Sequence, residues 1–216
     1  MTFSLIPVEI KNEIVSFSFR NPTKITIQEV INSGRSIVNL SKTNKGLKNI
    51  CQQKLADLKK IHDLIMKYSA YNSDYENPGT NWDTGGKINP GGNPQLYDAL
   101  LTGCTLPYAK HSFADYSTQI EEDIKTIVKL TPQSMNFILG KLRCRDEVLP
   151  IVAACMNKNI PTSIVEFLLK SGANPKATIK VDGRPVKIIK DLKANISDER
   201  YKIIFNLFKQ YGMDSA

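Results

Sequence analysis

Short apolar stripes at helical spacing, separated by polar turns, dominate the second half of the chain. Ile164, Val165, Phe167, Leu168 and Leu169 form one such stripe and predict a short buried helix. Ser163, with Glu166 three residues on, predicts a capping-box start for it. Gly172 stands where a helix ends on a left-handed residue. The stripe has echoes: IIFNLFK from Ile203 matches IVEFLLK from Ile164, and IKTIVKL from Ile124 carries a weaker form. The period is about forty residues, which marks a repeat array. Each copy follows a proline-led segment, at Pro94, Pro150 and Pro185, and proline suits a helix's first turn. The repeating unit is therefore a proline-started helix, a connection, a second helix and a turn. Outer helices are predicted near 119–130, 162–171 and 198–211.

The first half reads differently. SLIPVEIKNEIVSFSF predicts a helix entered at Ile6-Pro7, with Ile10, Ile14 and Phe17 on one face. RNPTKITIQEVINSG reads as an inserted connection, longer than usual helix–helix links. SIVNLSKTNKGLKNICQQKL and a lysine-rich helix to about Lys67 follow it. Residues 69–93 concentrate glycine and asparagine without periodicity, as a linker or long loop does. The pattern thus divides the chain into a helical segment 1–68, a loop 69–93 and an array 94–216, all-α throughout.

Composition narrows the class. Hydrophobic content of 41% and charged content of 23% over 216 residues fit a folded protein. No apolar run is long enough to span a bilayer, and MTFSLIPVEIKNEIV lacks the basic start and apolar core of a signal peptide. Cys51, Cys104, Cys144 and Cys155 form no C-x-x-C pair and read as buried apolar residues of a reducing compartment. The expected location is cytoplasmic, and the expected state a monomer. The net charge of +8 raises nucleic-acid binding, but lysine supplies nearly all of it, spread over amphipathic helices. Arginine forks with interleaved aromatics are missing, so a solvated face is preferred.

Candidate chemistry adds little. His62 lies beside Lys59, Lys60 and Asp63 and reads as a surface residue. His111, near Ser112 and Asp115, has no nucleophile-elbow motif around it, and triads are set by geometry rather than adjacency. DTGGKINPGG lacks the spacing of a phosphate loop. Asp74, Glu76 and Asp83 lack the alternating ligands of a calcium loop. No catalytic, cofactor or metal site is expected. Trp82 in the polar loop either anchors a partner or pins the loop to a nearby domain.

Gly172-Ala173-Asn174-Pro175 and Val181-Asp182-Gly183-Arg184-Pro185, with Leu149-Pro150 and Ala153-Ala154 between the stripes, resemble the ankyrin repeat over roughly residues 94–213. The first unit carries Thr131-Pro132 in place of the glycine, and the third carries Ile188-Ile189 in place of small alanines. The resemblance implies an α-solenoid of about three repeats that binds a client protein through turn tips and inner helices. It points to Arg143, Arg145, Asp146, Lys180, Asp182 and Arg184. The N-terminal segment is similar to the F-box: Pro7, Glu9, Ile10 and Ile14 match its opening, and Leu40, Ser41, Thr43, Asn44, Leu47 and Ile50 its second part. That similarity implies docking to a Skp-type subunit of a cullin ubiquitin ligase through Leu5, Pro7, Glu9, Ile10, Ile14, Leu40 and Leu47. F-box and ankyrin pairings are similar to adaptors of intracellular bacteria and large DNA viruses, which would place the protein in a host cytosol. The alternative is a plain ankyrin module whose N-terminal helices only cap the array.

Overall fold

The structure, a computed structural model, describes residues 25–43, 45–68, 93–101, 118–142 and 145–213. Leu5, Pro7, Glu9, Ile10, Ile14, Trp82, His111 and Arg143 lie outside them. The described residues fall into two compact units, one holding Ile25–Lys67 and the other beginning at Tyr68.

The first unit is a helical hairpin. α1 (Ile27–Thr43) and α2 (Lys48–Lys67) pack together across a 3₁₀ turn, Lys45–Leu47. A capping box starts α1: Thr26 N donates to Glu29 Oε2 at 2.9 Å, and Glu29 N to Thr26 Oγ1 at 3.2 Å. The inserted connection expected through residue 34 is therefore corrected. Its second half is helix, because Thr26–Glu29 satisfies the first orphan amides and Val30 and Ile37 share a buried face. Leu47, Cys51, Leu58, Ile61 and Ile65 complete that core.

The second unit holds three helical hairpins. α3 (Pro94–Leu101) pairs with α4 (Thr118–Leu130), α5 (Pro150–Met156) with α6 (Thr162–Lys170), and α7 (Ile188–Asn195) with α8 (Asp198–Gln210). Contacts also run along two columns: α3 with α5 and α5 with α7 in one, α4 with α6 and α6 with α8 in the other. Each second helix lies where its apolar stripe predicts. Three isoleucines at one register, Ile124, Ile164 and Ile204, are fully buried. Val128, Leu168 and Phe208 repeat the pattern one turn on. The third copy is thus corrected by one residue, since Ile203 is 45% exposed. Between the columns, Val152, Ala153, Ala154 and Cys155 of α5 have no exposed surface. Their small side chains let α3 and α7 approach from either side.

The described residues are mostly helical, roughly as the all-α expectation has it, and a small sheet is added to them. β1 (Gly140–Leu142), β2 (Arg145–Val148), β3 (Thr178–Val181) and β4 (Arg184–Lys187) form one antiparallel sheet in sequential order. β3 and β4 turn through Asp182 and Gly183, with φ of 47° and 75°. Two consecutive left-handed residues form the tight turn whose twist matches a hairpin, and Asp-Gly is suited to it. Pro185 accordingly lies in β4 rather than at a helix start, and α7 begins at Ile188.

α6 and α8 end alike. Gly172 (φ 96°) donates to Leu169 O and Ala173 to Leu168 O, both at 3.0 Å. Gly212 (φ 96°) donates to Lys209 O, and Met213 to Phe208 O. Both are Schellman ends, which satisfy the last carbonyls of the helix. The capping box expected at Ser163 and Glu166 does not form. α6 starts two residues earlier, with Pro161 as its N-cap and no side-chain cap.

Candidate interaction surface

The hairpins rest on an ion pair. Arg145, in β2, donates from Nε to Asp191 Oδ2 at 2.7 Å and from Nη2 to Oδ1 at 3.0 Å. The side chains are 1% and 4% exposed. Asn195 Nδ2 donates to the same carboxylate at 3.1 Å, so the acid is nearly saturated. Arg145, expected to contact a client, is therefore corrected to an internal strut between β2 and α7. A bidentate fork needs arginine's planar geometry, which lysine lacks.

Neighbouring carboxylates also hold the hairpins to each other. Asp146 Oδ2 accepts from Gly183 N at 2.7 Å. Glu147 accepts from Lys180 N at 3.2 Å and lies 3.4 Å from its Nζ. Asp146 is half-buried, whereas Lys180, Asp182 and Arg184 are exposed. One turn back, Asn136 bridges to the end of α6, donating to Gly172 O at 2.9 Å and accepting from Asn174 N at 3.0 Å.

Sequence reasoning missed Lys187, Lys190 and Lys193, which continue the exposed side of the last hairpin into α7. The available signal was their spacing against buried Ile188, Ile189 and Leu192. Arg184, Lys187, Lys190 and Lys193 form no ion pair among the described residues.

Arg200 is the other organising cation. From α8 it donates to the carbonyls of Cys155 at 2.8 Å, Ala154 at 3.0 Å, Asn157 at 3.1 Å and Ile160 at 2.9 Å. It therefore caps the C-terminal, electronegative end of α5. Burial lowers its pKa. Burial likewise pushes the Cys155 thiol up to about 12, against a smaller opposing pull from Arg200. Such a thiol is not a nucleophile at neutral pH.

A cleft of about 380 Å³ lies between Asn136, Glu147, Leu149, Asn174 and Ile179. Asn136 and Glu147 are committed to the bonds described above, and Asn174 Oδ1 accepts from Lys176 N at 2.9 Å. Among the described residues no cluster of His, Cys, Asp and Glu is arranged to hold a metal ion, and no helix is long and apolar enough to cross a membrane. His62 Nδ1 lies 3.2 Å from Asp63 Oδ1 on an exposed part of α2.

Of the F-box-like set, Leu40 is half-buried on α1. Leu47, expected to meet a partner, is fully buried inside its own unit and is corrected to a core residue. Against protein-family models, curated proteins and solved structures alike, the chain has no significant match.

Proposed function

We propose that the protein is a non-catalytic interaction adaptor. An ankyrin-type array receives a client protein on its hairpins and inner helices. The F-box-like N-terminal segment docks to a Skp-type subunit of a cullin ubiquitin ligase. One observation carries the first half. The α3–α5–α7 and α4–α6–α8 columns run beside hairpins joined into one sheet by the Arg145–Val181 pairing. Stacked units of this kind share a continuous core and present a row of turns, which suits recognition by surface rather than by pocket. The half-burial of Asp146 and exposure of Lys180, Asp182 and Arg184 support that side as the client surface.

The second half rests on the resemblance of Leu5, Pro7, Glu9, Ile10 and Ile14 to the F-box opening. The burial of Leu47 within α1 and α2 favours the rival reading, a plain interaction module without Skp binding. A titration of the full chain with purified Skp separates the two. The adaptor reading expects binding that Pro7→Ala with Ile10→Ala abolishes while the melting temperature holds. A well-folded wild type that does not bind leaves only the plain module.

A further inference from the structure

We propose that β4 and α7 form a docking strip for an acidic protein segment, a partner stretch rich in Asp and Glu. The proposal deepens the reading of the hairpin side as the client surface and rests on it. The strip is a single run of chain, because β4 ends at Lys187 and α7 begins at Ile188 with no loop between. Arg184, Lys187, Lys190 and Lys193 are all exposed along it. In α7, Ile188, Ile189, Asp191 and Leu192 are buried, which leaves Lys190 and Lys193 one turn apart on the open face.

Charge distinguishes the strip from the paired lysines of the array, since Lys125 lies 3.0 Å from both Glu121 and Glu122, and Lys170 lies 2.7 Å from Glu166. Lys129, Lys158 and Lys202 are exposed singly, whereas Lys187, Lys190 and Lys193 follow one another along one run. Asp191 is the one acid within α7, and Arg145 holds it in the interior. Asp182, in the turn, is the remaining acid between Lys180 and Lys193, and it is exposed and unpaired. The buried pair therefore removes the negative charge that would otherwise sit among the lysines. Lys187, Lys190 and Lys193, spaced three apart at the start of α7 with no exposed carboxylate between them, complement a carboxylate-rich chain.

The same stretch argues against nucleic acid. No Phe, Tyr or Trp lies between Lys176 and Asn195, so bases find no stacking platform, and only Arg184 offers a fork. Its large apolar side chains, Ile188, Ile189 and Leu192, are buried, and Pro185, Val186 and Ala194 offer too little to insert into a lipid surface.

Fluorescence anisotropy on the full chain tests the strip with a labelled glutamate-rich peptide. The comparators are a glutamine-rich peptide, oligo(dT) and phosphatidylcholine–phosphatidylserine vesicles at about 7:3. Lys187→Glu, Lys190→Glu and Lys193→Glu together should weaken glutamate-peptide binding at least about tenfold. Lys129→Glu, Lys158→Glu and Lys202→Glu make the same charge change at exposed sites elsewhere, and should leave binding within about twofold. Raising salt from about 50 to about 200 mM should weaken the wild type. Equal losses in the two triples, tighter binding to oligo(dT) or vesicles, or no binding of the glutamate peptide each overturn the proposal. If the strip triple lowers the melting temperature, the corresponding glutamine triple replaces it and is held to the same result. Crosslinking a captured client separates this from the reading beneath it. A client crosslinked to the hairpins yet indifferent to the strip triple discards the acidic class alone. One crosslinked only to α4, α6 and α8 discards the client surface as well.

Discussion

Asp191 illustrates how one side chain's partner changes its meaning. On the sequence it is another charge in a lysine-rich helix; in the fold it is the counter-ion of Arg145, 46 residues away. Removing one member of such a pair strands the other in the interior. Asp191→Ala should therefore cost about 3–5 kcal/mol, and Arg145→Ala about the same. Arg145→Met combined with Asp191→Leu should come within about 1–2 kcal/mol of wild type, since well-packed apolar replacements spare both desolvation costs. Urea unfolding of the four proteins measures this, and a double mutant as weak as the sum of the singles would refute it. Nothing local distinguishes Arg145 from Arg184, and so the sequence reading placed both on a client surface. Cys155 was more legible, as a buried apolar residue. With its thiol pushed up to about 12, it should resist iodoacetamide at pH 8 and react only once urea unfolds the array. Rapid labelling of the native protein at Cys155, located by mass spectrometry, would contradict its burial.

At the scale of single elements, glycine carried the clearest signal. Gly172 and Gly212 both adopt φ of 96°, and an added β-carbon at either would meet nothing within 4 Å. The cost of alanine there is conformational rather than steric, about 1 kcal/mol at each site. Valine should cost more, because its branched β-carbon suits the left-handed region poorly. Thermal melts of Gly172→Ala, Gly212→Ala and Gly172→Val check the order; a neutral Gly172→Val would mean the helix end rearranges freely. The stripes of α4, α6 and α8 were equally readable, because a buried helix face leaves a period in the sequence. Finer register was not. Ile203 and Ile204 are adjacent and chemically identical, and only packing decides that Ile204 faces inward. The strands were overlooked for another reason. Asp182-Gly183 is a strong hairpin signal, yet β3 and β4 are four residues each and their burial alternates weakly. In α1 the decisive feature was Thr26 with Glu29, a capping box as visible as the one expected at Ser163, but only the first is formed. Capping residues propose a helix start, and neighbouring structure chooses among the proposals.

For the array as a whole, the question is what makes stacked units behave as one. Contacts run from each hairpin to the next, so cooperativity depends on bonds that cross between them. Arg200 supplies four of these, from the first turn of α8 to carbonyls in the last turn of α5 and just beyond it. No sequence pattern announces it, since backbone carbonyls have no residue identity to read. Losing the guanidinium leaves the carbonyls of Ala154, Cys155 and Ile160 to water, while Asn157 O keeps its bond from Ile160 N. Arg200 is half-buried, which tempers the penalty, and Arg200→Ala should cost about 2–3 kcal/mol. Arg200→Lys should recover little of this, because a single ammonium cannot span carbonyls held by two guanidinium nitrogens. Hydrogen exchange tests whether the effect is shared. If Arg200 couples the units, Arg200→Ala should speed exchange at least about tenfold both in α8 and in the amides of Val152–Cys155. α3 and α4, farther along the columns from α8, should change least. Acceleration confined to α8 would make Arg200 a local anchor. The stability of the sheet side would then rest on the Arg145–Asp191 pair, which lies wholly within the interior.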